Sequence, residues 1–103
     1  MNESFVIRGT HRAVHGGDNP QVTWVRDEDG KLDLSEVEEL TVDIQRGNHK
    51  ILTIPATGDA EGRVDFNVTS ANIKQKLSLL GLFRLYVRAD GQVIYTGLLE
   101  VLG

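Results

Sequence analysis

The chain has 103 residues, 40% hydrophobic and 25% charged, with a formal net charge of −4 and an isoelectric point near 5.2. That length admits one domain, residues 1–103, with a single modest core, and the composition is that of a folded domain rather than a disordered tail. The acidic balance argues against nucleic acid as a partner, which needs a clustered basic face, and the absence of cysteine excludes disulfides, thiolate metal ligands and a cysteine nucleophile.

The opening MNESFVIRG lacks the basic start and the roughly 7 to 15 apolar residues of a secretory signal, and no apolar run reaches membrane-spanning length. The chain is therefore expected to be cytoplasmic when synthesised, with no membrane partner. A first strand is predicted over residues 4–8. The next piece, GTHRAVHGGDNP at residues 9–20, is too long and too rich in Gly for a tight turn and reads as an irregular, mobile loop able to carry function.

Within that loop, His11, His15 and Asp18 supply the ligand types of a two-histidine, one-carboxylate metal site. Two histidines four apart share a face only on a helix, however, and His15-Gly16-Gly17 is a poor place for a helix to continue. Residues 21–26 read as a strand in which Val22 and Trp24 alternate inward, so the single tryptophan is expected in the core. An exposed tryptophan would instead offer a surface for a sugar or a partner.

The acids that follow, Asp27, Glu28, Asp29, Asp33, Glu36, Glu38 and Glu39, pose the question of a cation site. Counting from Asp27, positions 1, 3 and 12 are Asp27, Asp29 and Glu38, which are oxygen ligands. The glycine that a calcium loop requires at position 6 is Leu32, and position 5 is Lys31. The stretch is read as a solvated Asp29-Gly30 turn that keeps a strand edge from pairing. Asp27, Asp29 and Asp33 stand as the candidates if a cation binds, and neither a metal nor a cofactor is assigned.

Beyond this turn the apolar positions recur with period two. Leu40, Val42 and Ile44 alternate with polar residues, as do Val64, Phe66 and Val68, and strands are also predicted over 50–54, 82–89 and 92–102. A short helix over 70–77 is predicted from Ile73, Leu77 and Leu80, with Thr69 or Ser70 as cap and Gly81 as stop. Asp90-Gly91 between two long β runs predicts a two-residue hairpin. The sum is an all-β, immunoglobulin-like antiparallel β-sandwich of about seven strands with one short helix. No nucleophile elbow or phosphate-binding glycine motif occurs, so no catalytic residue is assigned and the chain is read as a non-enzyme.

In GLLEVLG the apolar residues occupy both alternation phases. Either a subunit interface covers one face, with Leu98, Leu99 and Leu102 as contact candidates beside His15 and Asp18 of the loop, or the strand is central and covered by its own domain.

Several of these positions together resemble the small immunoglobulin-like β-sandwich modules of tailed-phage and prophage structural proteins, in pattern closest to the amino-terminal module of phage baseplate upper proteins. They are Trp24 with Asp27, Asp29 and Gly30; Asp33, Leu34 and Ser35; Val64, Phe66 and Val68; Gly81, Phe83, Leu85 and Val87; and Asp90-Gly91, spread over residues 21–102. Asn72 departs from the pattern, which often has an acid there. The resemblance implies a non-enzymatic assembly module of a tail, baseplate or head–tail region, acting through contacts with itself or other virion proteins. The alternative is a calcium- or carbohydrate-binding β-sandwich module.

Overall fold

A computed structural model describes residues 7–14, 17–27, 30–75 and 81–102. The elements in chain order are β1 (Thr10–Val14), β2 (Asn19–Trp24), β3 (Arg26–Asp27), β4 (Gly30–Lys31), β5 (Leu40–Arg46), β6 (His49–Pro55), β7 (Thr57–Gly58), β8 (Arg63–Val68), α1 (Ser70–Gln75), β9 (Gly81–Ala89) and β10 (Gln92–Leu102). They form a five-stranded sheet in the order β1-β10-β9-β5-β6, a three-stranded sheet β2-β8-β7 and the small ribbon β3-β4. The protein is all-β apart from α1.

Both larger sheets turn one face to a shared core. The five-stranded sheet contributes Val42, Ile44, Phe83, Leu85, Val87, Leu99 and Val101, and the three-stranded sheet contributes Val64, Phe66 and Val68. Each such aliphatic side chain, fully buried, stabilises the fold by about 1.5–3 kcal/mol relative to exposure. Polar residues take the alternate positions of β8, and Arg84, Tyr86 and Arg88 take those of β9 beyond the outward Leu82, as period-two patterning requires.

Three local features follow directly from sequence. Asp90 and Gly91 both have positive φ (50° and 87°), the conformation of a primed two-residue turn between β9 and β10. Asp90 also anchors the approach to β5: its N–H donates to the Glu39 carbonyl and its Oδ1 accepts the Glu39 N–H, both at 2.8 Å. At α1, the Thr69 hydroxyl accepts the Asn72 N–H and the Asn72 carboxamide oxygen accepts the Thr69 N–H, each at 3.1 Å. This is a capping box in which Asn does the work usually given to an acid or Gln. The predicted helix over 70–77 is observed over Ser70–Gln75, and its last two positions lie outside the described residues.

The structure corrects two expectations. Residues 9–20 are not one irregular loop: Thr10–Val14 is a strand lying parallel to β10, with Thr10 opposite Leu98 and Val14 opposite Leu102, and Asn19 and Pro20 open β2. The sheet is thus mixed rather than purely antiparallel. Polar residues in THRAV conceal the strand, because its inward positions are His11 and Ala13 rather than large aliphatics. The free edge of β1 is closed by side-chain amides from β2. The Asn19 Oδ1 accepts the Val14 N–H (2.9 Å), its Nδ2 donates to the Val14 carbonyl (3.0 Å), and the Gln21 Nε2 donates to the Arg12 carbonyl (2.8 Å). These bonds occupy groups that a further strand would otherwise pair.

The second correction is the phase of β2. Thr23 and Val25 face the core, while Val22 and Trp24 are 42% and 53% exposed. The backbone of Val25 sets this phase: its N–H donates to Gly62 at 2.8 Å and its carbonyl accepts from Leu32 at 3.2 Å. Gly62, at φ 84°, passes so close that a Cβ there would clash with the Val25 carbonyl oxygen. With Val25 pinned inward, Trp24 must point out. Of the strand predicted over 4–8, residues 4–6 lie outside the described residues, and the Arg8 N–H donates to the Thr96 carbonyl at 2.9 Å.

Candidate functional site

The outward turn of Trp24 places its indole on the wall of a cleft of about 540 Å³. One wall comes from the end of β2 and from β3, with Trp24, Val25, Arg26 and Asp27; the other comes from the five-stranded sheet side, with Arg8, Ile94 and Tyr95. A β-bulge supplies two consecutive residues to that second wall. The β9–β10 register steps from Val93 opposite Arg88 to Tyr95 opposite Val87, which leaves Ile94 as the extra residue.

Tyr95 is fixed from behind. Its hydroxyl shares a 3.1 Å hydrogen bond with His11 Nε2, and the two rings meet edge to face at 6.0 Å between centroids. His11 also meets Phe66 edge to face at 5.7 Å. Burial pushes its pKa below the usual histidine value, and a hydrogen bond with Gln21 opposes that shift. His11 is thus a core histidine, neutral at pH 7, with its Nε2 engaged by the Tyr95 hydroxyl. Asp18 is exposed, and His15 lies outside the described residues.

The acidic turn likewise divides into separate tasks. Asp27 belongs to the β3–β4 ribbon, opposite Gly30. Asp33 accepts the Ser35 N–H at 2.9 Å and the Ser35 hydroxyl at 2.6 Å, and these bonds hold its carboxyl below the ordinary carboxylate pKa. Asp29 lies outside the described residues. Among the described residues no three His, Cys, Asp or Glu side chains are grouped to hold a metal ion.

A second carboxylate constellation occupies the outer face of the five-stranded sheet. Asp43 is buried there, its Oδ2 accepting from Arg88 Nε and its Oδ1 from the Thr53 hydroxyl, both at 2.7 Å. Arg88 also reaches the Gly91 carbonyl at 3.3 Å. Both carboxylate oxygens are engaged, so the network locks β5, β6 and the β9–β10 hairpin together.

The contact candidates of β10 fall on opposite faces. Leu99 is fully buried in the core and is withdrawn as a surface residue. Leu98 and Leu102 point the other way, half-buried and 38% exposed respectively. Leu102 lies beside Val14 (46% exposed) across the β1–β10 ladder, and Leu82 (55% exposed) sits opposite Glu100 on β9, diagonal to Leu102. Sequence reading missed Val14 and Leu82 because each sits alone in its own strand; the register makes them neighbours. It also missed Arg8 and Arg26, whose significance depends on the outward turn of Trp24.

Among the described residues no helix is long and apolar enough to cross a membrane. No protein-family model matches the chain, and no curated protein matches it.

Proposed function

We propose that the chain is a non-enzymatic structural module of a phage or prophage particle, built into the tail, baseplate or head–tail region and acting through protein–protein contacts with copies of itself or with neighbouring virion proteins. The observation that carries this reading is the cluster of Val14, Leu82 and Leu102 on the outer face of the five-stranded sheet. Isolated exposed aliphatics are ordinary, but a contiguous group across three strands is the kind of surface that a partner covers. The all-β scaffold and the resemblance over residues 21–102 support the same reading.

Particles purified on a density gradient after prophage induction, analysed by mass spectrometry, test it at the level of the virion. Peptides of this chain at stoichiometric abundance in the particle band are the expected result; a chain abundant in the soluble fraction and missing from particles overturns the proposal. At the level of the surface, Leu82→Asp and Leu102→Asp weaken incorporation or self-association while the unfolding midpoint stays within about 0.5 kcal/mol of the parent, as surface substitutions do.

A further inference from the structure

We propose that the Trp24 cleft is a binding site for a saccharide ring bearing a single carboxylate, of the uronic-acid type. The inference does not rest on the assembly reading, since it concerns a different surface. The cleft, at about 540 Å³, falls in the size range of small-ligand sites. Its Trp24 indole is 53% exposed and offers a flat apolar face on which the C–H side of a sugar ring can lie.

The charge at the cleft selects among ring ligands. Arg8 and Arg26 line it from opposite walls, and no carboxylate among the described residues pairs with either guanidinium. Two such planar forks match the geometry of a carboxylate, which each can bind through paired N–H donors. Among the described lining residues Arg8 and Arg26 outnumber the one carboxylate, Asp27, so the lining favours a single negative charge. A polyphosphate or nucleic acid is opposed by the domain's net charge of −4, which raises the cost of bringing many negative charges to its surface.

The walls are also preformed. Val25 is held at both backbone groups by Gly62 and Leu32, and Tyr95 is held by His11. Little ordering is then required on binding, which favours a small ligand.

Trp24 is the only tryptophan, so its fluorescence reports the site directly. The intact chain is titrated at low salt with a galacturonic acid trisaccharide, with the neutral galactose trisaccharide and with an oligoglutamate peptide. The expected result is a saturable change in emission with the acidic sugar, at an affinity about tenfold or more above that of the neutral sugar, as one charge-assisted contact gives. Arg8→Gln and Arg26→Gln each weaken that binding about tenfold by the same reasoning, with the urea midpoint unchanged. Saturation-transfer NMR on Trp24→Ala loses the signal from the sugar ring protons. No response to the acidic sugar, equal affinity for the neutral sugar, tighter binding of the peptide, or arginine variants that bind as the parent does would each overturn the assignment.

Discussion

β10 carries apolar residues in both alternation phases, and so does β2 once Val25, the residue that follows it, is counted; the two resolve the conflict in opposite ways. β10 is an interior strand of the mixed sheet, between β1 and β9, and turns Tyr95, Leu99 and Val101 inward, leaving Leu98 and Leu102 on the outer face. β2 is an edge strand; Thr23 within it and Val25 just past its end face inward, which leaves the largest side chain of the chain facing solvent. The difference shows what sets strand phase. A strand with ladders on both sides is placed by many neighbours at once, whereas an edge strand follows its tightest local anchor, here the backbone of Val25 against Gly62.

The contrast within β10 is the sharpest to test. Leu99→Asp puts an uncompensated charge into the core at a cost of about 3–5 kcal/mol, a large part of the whole stability of a domain this size. Leu98→Asp, one residue away on the other face, is expected to cost about 1 kcal/mol. Urea denaturation followed by circular dichroism compares them, and equal losses would break the assignment of the two faces. The anchor of β2 comes next in size: Gly62→Ala forces a Cβ onto the Val25 carbonyl at φ 84° and is expected to cost about 1–3 kcal/mol. If the anchor sets the phase, that variant also changes the Trp24 emission in the folded state.

These strands also show how much was legible in the amino-acid order. Where alternation is clean, as in β5 and β8, or where turn chemistry is specific, as at Asp90-Gly91, local pattern determines the element. The capping box at Thr69 was visible as a cap, although the part played by Asn72 required geometry. What stayed hidden depends on long-range contact. Thr10–Val14 has no apolar alternation and becomes a strand through its parallel ladder with β10 and the amides of Asn19 and Gln21. The outward face of Trp24 is decided by a glycine 38 positions away in the chain (62 − 24), and the cleft brings together Arg8, Arg26 and the bulge residue Ile94, none of which is distinctive alone.

His11 links the two regions, since it packs under Phe66 and Tyr95 and so supports one wall of the cleft. Its folded pKa lies below the unfolded value of about 6.5, so below that pH the unfolded chain binds more protons than the folded one. Stability therefore is fully present above about pH 6.5 and declines as pH falls toward the folded pKa. Thermal unfolding at pH 7.5 and pH 5.5 is expected to show a lower midpoint at the acid pH, and His11→Phe is expected to reduce that difference. An undiminished difference in the variant would move the acid sensitivity to other groups.

The smallest expected effect is the most direct check on β2. Removing a buried tryptophan costs about 3–5 kcal/mol through lost burial and the cavity left behind, whereas a substitution on a half-exposed surface with no cap, cavity or buried partner costs about 0.5 kcal/mol. Trp24→Ala belongs to the second class if the indole stands on the cleft wall, and Val22→Ala, on the same face, behaves likewise. The two expectations differ by more than the error of a urea midpoint. A parent emission at long wavelength, readily quenched by iodide, together with a near-neutral Trp24→Ala variant, keeps Trp24 at the surface. A blue-shifted, protected emission with a large loss of stability returns it to the core, and the cleft with its two arginines then closes as a binding site.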